Sequence, residues 1–238
     1  MSRRRPSEAA APAETVEEDR WEKVKANTKT IGGAVLLALF IRIVLFEAFE
    51  IDGPSMEPTL LHGDRVVVAK FLYGLFLPFT NEAVATWGMP EPGDVVIVRS
   101  PADNIDIVKR VIGVPGDVIE IRDDVVYRNG EPLRHGREAC RDDYGNVLDD
   151  ECVWYVEGIG DHDWHTSTAS YEVPDSAAEQ EVPPGHIFVL GDHRNRSNDS
   201  RNPHVGMIPV ERVKGRALAI YWSNDTHVRW NRIFDGIE

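Results

Sequence analysis

The segment Ile31-Gly-Gly-Ala-Val-Leu-Leu-Ala-Leu-Phe-Ile-Arg-Ile-Val-Leu-Phe-Glu-Ala-Phe49 constrains this chain more than any other. Its 19 residues would cross the roughly 30 Å hydrocarbon layer of a bilayer as a helix. Arg42 opposes that, because a charge near the bilayer centre costs at least ~2.5 kcal/mol. It lies past the midpoint of the run, however, where a long side chain snorkels toward the far interface. The competing possibility is a buried helix in a soluble core. Arg3, Arg4, Arg5, Lys23, Lys25 and Lys29 all precede the run, which favours a span with its N-terminus inside. No small-x-small cleavage site follows, since Glu47-Ala48-Phe49 is a poor substitute, so an uncleaved anchor is expected. The predicted layout is therefore a cytoplasmic tail over residues 1–30, disordered to about Glu22, and a transmembrane helix over 31–49. Everything after residue 50 would then lie on the outer face of the plasma membrane.

The outer part reads as short β-branched runs bounded by Gly, Pro or Asp: Arg65–Lys70, Asp94–Arg99, Ile105–Ile112, Asp117–Arg122, Val125–Arg128, His186–Leu190 and Arg216–Trp222. Turn signals separate them, at Pro92-Gly93, Pro115-Gly116, Asn129-Gly130 and Pro184-Gly185. The prediction is a mainly β protein, with an antiparallel sheet or barrel as its core. That core takes residues 50–130 and 185–238. Between them, 131–184 is acidic with few strand patterns and is expected to form an inserted, loop-rich cap. Cys140 and Cys152 are the only cysteines and flank a polar loop. They would pair if this region lies outside the cytoplasm, or else remain two unrelated thiols. A net charge of −14 argues against nucleic acid as a partner. Phe71–Phe79 is too short to span and too apolar for water, so it is either a core loop or a loop dipping into the bilayer interface.

Three stretches hold candidates for chemistry. In Ile51-Asp-Gly-Pro-Ser-Met-Glu-Pro-Thr-Leu60, Pro54 and Pro58 stiffen the chain around Ser55 and Gly53 frees one backbone position. A stiff turn suits a nucleophile, and equally suits a chain leaving a membrane. Lys109 lies among Ile107, Val108, Val111 and Ile112. It is either an outward residue of an edge strand or a desolvated amine that loses its proton easily. Half-neutrality near pH 8 requires about 3.3 kcal/mol of ammonium destabilisation. Gly191–Arg201 alternates acids, bases and hydroxyls in the manner of a self-satisfying network or of a plain surface loop. Asp161-His-Asp-Trp-His165 reads as a solvated loop, and no metal site is expected.

In order, these stretches resemble the sequence boxes of the type I signal peptidases, the membrane-anchored serine–lysine proteases, in their single-span variety. Ile51–Leu60 resembles the nucleophile box, Gly63–Gly74 the next, Val108–Asp117 the lysine box, and Gly191–Arg201 the last. The resemblance implies an antiparallel β catalytic core with an inserted smaller domain. It implies Ser55 as nucleophile and Lys109 as general base, with no cofactor and with signal peptides as substrates. Ser197 would orient the lysine; Asp199, Arg201 and Arg110 would form a supporting ion-pair network, with Asp192 in the same scaffold. Phe49, Ile51, Met56, Leu60 and Val108 would line shallow apolar pockets for small residues. Gly53 stands where some members carry a serine that helps hold the oxyanion. That role would pass to backbone N–H groups, chiefly of Ser55, near Gly53. A self-cleaving repressor shares the chemistry but lacks an anchor, and a membrane-tethered, non-catalytic β-rich binding domain would leave Ser55 and Lys109 far apart.

Overall fold

The structure is a computed structural model and describes residues 13–77, 80–141, 153–168 and 176–237. The chain divides into two compact units, Met1–Arg42 and Ile43–Glu238. In the first, helix α1 spans Ala13–Phe40. The tail expected to be disordered to about Glu22 is thus helical from Ala13. Ala, Glu, Lys and Arg dominate there, and their intrinsic helix propensity does not depend on the apolar periodicity that the sequence lacks.

The apolar run does not remain one helix. A π-helical turn occupies Ile41–Leu45, and Phe46–Glu50 is a strand, β1. Its backbone groups find partners in a ladder with β2 (Asp64–Ala69), where Phe49 lies opposite Val66. Pairing β1 into the sheet outcompetes helix continuation, which corrects the expected helix over 31–49. Among the described residues, no helix is long and apolar enough to cross a membrane.

The second unit is built from antiparallel strands. A two-stranded hairpin joins β3 (Gly74–Leu75) to β4 (Ala85–Thr86). Then come β5 (Val95–Arg99), β6 (Asp106–Gly113), β7 (Val118–Arg122), β8 (Val125–Arg128) and β9 (Glu131–Pro132). They are followed by β10 (Arg134–Ala139), β11 (Val153–Ile159), β12 (His162–Ser167) and β13 (Ala177–Glu181). Finally come β14 (His186–Leu190), β15 (Ile208–Pro209) and β16 (Val213–Ser223). The main sheet runs β1-β2-β16-β5-β6-β14-β15. Its alternating Val and Ile side chains fill the interior: Val66, Val68, Ile97 and Ile220 pack with Ile51, Met56 and Leu60 from the turn before β2.

The excursion between β6 and β14 makes two further sheets, β13-β7-β8-β9 and β10-β11-β12. Strands β7 and β8 match the runs expected at Asp117–Arg122 and Val125–Arg128; a loop-rich cap was expected over 131–184, and strands β9 to β13 stand in its place. The sequence hides them because aromatic and ionic pairs hold them instead of alternating aliphatics. Arg134 stacks 3.7 Å from the ring centroid of Tyr155, and the rings of Trp154 and His165 lie 5.4 Å apart. His162–His165, expected in a solvated loop, lies in β12, with His165 3.2 Å from Glu138 and His135 3.3 Å from Asp163. Cys140 is buried and disulfide-bonded; Cys152 lies outside the described residues. In the Phe71–Phe79 stretch, Tyr73 and Phe76 are buried, while Phe71, Leu72 and Leu77 are exposed. Pro78 and Phe79 lie outside the described residues.

Strand β16 crosses the sheet with three register shifts, two against β2 and one against β5, which bend it. Gly215 sits within that bend. A Cβ there would stand 2.5 Å from Ala69 O and 2.8 Å from Val68 Cγ1. Gly215→Ala is expected to cost about 1–3 kcal/mol by overpacking, seen as a lower urea midpoint. An unchanged midpoint would mean that β16 can move aside freely.

Candidate active site

Ser55 is held by a folded-back turn between β1 and β2. Glu57 N–H donates to Pro54 O at 3.1 Å and Leu60 N–H to Met56 O at 2.9 Å. The turn closes at its base, where Ile51 N–H donates to Asp64 O and Gly63 N–H to Ile51 O. The far side is clamped as well. His193 N–H donates to Ser55 O at 3.2 Å, and Ser167 Oγ to Glu57 O at 3.1 Å. Gly53 takes φ +90°, a conformation that side chains resist.

Lys109 is on β6, opposite Val96 of β5. Its Nζ lies 2.9 Å from Ser55 Oγ and donates to Val108 O at 2.7 Å. Lys109 is only 3 % exposed. Burial therefore pushes its pKa down from 10.5 to about 8, even though the carboxylates of Asp199 and Asp192 pull it up. Arg201 adds a smaller downward push. An amine so placed is neutral in a substantial fraction of molecules near pH 8. Next to it, Arg110 points elsewhere.

The polar scaffold resolves into two separate ion pairs, where one network of Asp199, Arg201 and Arg110 was expected. Fully buried Arg110 grips Asp192 with two bonds, Nε to Oδ1 at 2.9 Å and Nη2 to Oδ2 at 2.8 Å. It also donates to Gly93 O and to Thr59 Oγ1, and Thr59 in turn donates to Asp192. Arg201 holds Asp199 through Nε at 2.8 Å and Nη2 at 2.8 Å. Gly191 N–H donates to the same carboxylate at 3.0 Å. Burial raises the Asp199 pKa, but Arg201, Gly191 and the nearby Ser197 outweigh it and hold the group below the usual carboxylate range.

Other candidates take different places. The buried Ser197 hydroxyl acts on the Asp199 carboxylate, while the Lys109 amine bonds Ser55 and Val108. Gly53 N–H donates to His62 Nδ1 at 3.3 Å, which directs it away from an oxyanion role in this conformation. Ile51, Met56 and Leu60 are buried in the core, with partly buried Phe49 and Val108 packed on them. Only the last two offer appreciable surface, and the first three form the wall behind. Sequence reasoning missed His62 and Gly93, whose contacts involve a ring nitrogen and a carbonyl that no motif encodes. Thr59 lay inside the nucleophile box and was legible as a hydroxyl, but not as a partner of Asp192. Among the described residues, no group of three or more His, Cys, Asp or Glu side chains is placed to hold a metal ion.

The family model described as "Signal peptidase, peptidase S26" matches residues 24–222. Signal peptidase I of Pseudomonas fluorescens is 36% identical over 208 residues, covering 82% of this chain and 71% of that protein. The enzyme of the same name from Pseudomonas aeruginosa is 34% identical over the same shares. Signal peptidase I of Rickettsia typhi is 30% identical over 87% of this chain and 83% of its own length. A solved signal peptidase I from Enterococcus faecalis is 29% identical and covers 55% of this chain and 98% of that one, with a TM-score of 0.33. The chain belongs to the signal peptidase family, peptidase S26.

Proposed function

We propose that this serine endopeptidase removes signal peptides from preproteins with Ser55 as nucleophile and neutral Lys109 as general base. The observation that carries the assignment is the 2.9 Å contact between a buried amine and the Ser55 hydroxyl. A binding domain without catalysis has no use for burying a lysine against a serine. In the first step Lys109 Nζ takes the Ser55 proton as Oγ attacks the scissile carbonyl. The C–N bond then breaks, and Lys109 returns the proton to the leaving amine. Water, deprotonated by Lys109, then attacks the acyl carbonyl; the C–O bond to Ser55 breaks, Lys109 returns the proton to Ser55 Oγ, and the signal peptide leaves. Neither step uses a metal or cofactor. The oxyanion rests on the Ser55 N–H, a donor worth roughly 3 kcal/mol in the transition state.

The substrate lies extended along β6. Strand β14 pairs with β6 only from Arg110 to Gly113, so the edge at Asp106–Val108 can accept main-chain bonds. Phe49 and Val108, backed by Ile51, Met56 and Leu60, form the shallow apolar floor that admits small side chains. Residues 31–45, ahead of strand β1, anchor the chain in the plasma membrane as a single pass, with the N-terminus cytoplasmic and the catalytic unit outside. Exposed Ile31, Leu36, Leu37 and Phe40 support contact with lipid, since such a stretch is costly in water. The helical part, 31–45, measures about 22 Å. Snorkelling of Arg42 and local thinning take up the shortfall against the bilayer.

Two outcomes are expected. Cleavage of a preprotein by the wild type rises with pH through about 8, where Lys109 becomes neutral, and Ser55→Ala abolishes it while leaving the fold intact. Retained cleavage in that variant would remove Ser55 as nucleophile. The second outcome concerns stability. The folded-state pKa of Lys109 is depressed from 10.5 to about 8, so its cost is fully present below pH 8 and is relieved as the pH rises toward 10.5. Lys109→Met should be inactive yet more stable than wild type at pH 7 by up to about 3 kcal/mol. Its advantage in thermal unfolding should shrink above pH 8.

A further inference from the structure

The strand pair β11–β12 reaches the scaffold of the catalytic site with two neighbouring side chains. Glu157 and Trp164 are direct cross-strand partners, so both point from the same face of the small sheet. Both are buried, Glu157 completely. Glu157 receives both Nη groups of Arg194, at 2.9 Å for Nη1 to Oε1 and in a shorter contact for Nη2 to Oε2. Arg134, the β10 partner of Glu157, stands 3.8 Å from the same carboxylate. Trp164 lays its ring 4.7 Å from the Arg110 guanidinium.

Each arginine leads directly to the groups facing Lys109. Arg110 holds Asp192. Arg194 Nε donates to Gly191 O, and Arg194 O accepts from Arg201 Nη2, which also binds Asp199. Ser167, at the end of β12, adds two further ties: its N–H donates to Asp192 O and its hydroxyl to Glu57 O in the nucleophile turn.

We propose that Glu157 and Trp164 are positioning residues for catalysis, fixing Arg194 and Arg110 so that the Gly191–Arg201 loop stays closed over Lys109. This rests on the Ser55–Lys109 assignment above. A merely structural cap would need neither a fully buried carboxylate nor an aromatic face on a buried guanidinium. A buried carboxylate survives only when paired, and this one is paired with the arginine that begins the loop's helical turn, Arg194–Arg196. The charged groups that act on Lys109 are Asp199, Asp192 and Arg201. Loosening their loop admits water to the amine and relieves its desolvation.

The test is the pH dependence of preprotein cleavage by full-length Glu157→Gln, an isosteric change that removes the charge. The expected result is an acid limb displaced to higher pH, with kcat falling about tenfold at pH 7 for each unit of displacement. KM should change little, and activity should return at high pH. Glu157→Asp, which keeps the charge, should retain the wild-type limb even if its melting temperature falls. If Glu157→Gln does not fold, Arg194→Lys is read the same way, since it keeps the charge but loses the two-pronged grip. A folded variant with a wild-type acid limb and kcat would overturn the positioning role. An inactive Ser55→Ala protein alongside it would show that the dyad assignment stands independently.

Discussion

Everything in the site depends on keeping one ammonium out of water. Lys109 is buried beside Ser55, and burial is the largest effect that makes its neutral form accessible. Two carboxylates nearby work against this, each favouring the charged form. The site resolves the conflict by engaging both acids elsewhere. Asp192 is taken up by Arg110, and Asp199 by Arg201. Their residual pull keeps the lysine near pH 8 instead of far below it, which is where a base working close to neutrality is most useful.

That balance requires a rigid frame. The Ser55 turn is fastened at its base by Asp64 and at its far side by His193 and Ser167. The lysine strand is central in the sheet, paired on one side by β5 and in part on the other by β14. The break in that second pairing leaves room for an extended chain beside the dyad. The cap strands close the frame from outside through Glu157 and Trp164. The excursion between β6 and β14 is therefore continuous with the chemistry it surrounds.

The strands of the main sheet were legible because their Val and Ile runs are bounded by Gly, Pro and Asp. β2, β5, β6, β14 and β16 lie within a few residues of the runs seen in the sequence. β1 was not legible, because Phe46–Glu50 continues an apolar run whose composition serves helix and strand alike. Only the partner strand decides between them. The cap strands were hidden for another reason: Arg134, Trp154, Tyr155, Glu157 and Trp164 carry no alternation that a periodicity can detect. Ser55 and Lys109 were singled out as residue types in stiff or apolar surroundings. Their separation of 54 residues carries no distance, and the 2.9 Å contact emerges only when the turn folds back against β6. The split of the ion pairs, with Arg110 on Asp192, likewise needed three dimensions.

The protonation of Lys109 itself is the quantity on which the account turns. Lysine side chains labelled with carbon-13 at Cε, followed by NMR across pH 6 to 12, report each amine separately, and Lys109→Met assigns the resonance. The structure predicts a midpoint near 8 for Lys109, against ~10.4 for a free lysine side chain. A Lys109 midpoint at the free-lysine value would contradict a neutral base beside Ser55.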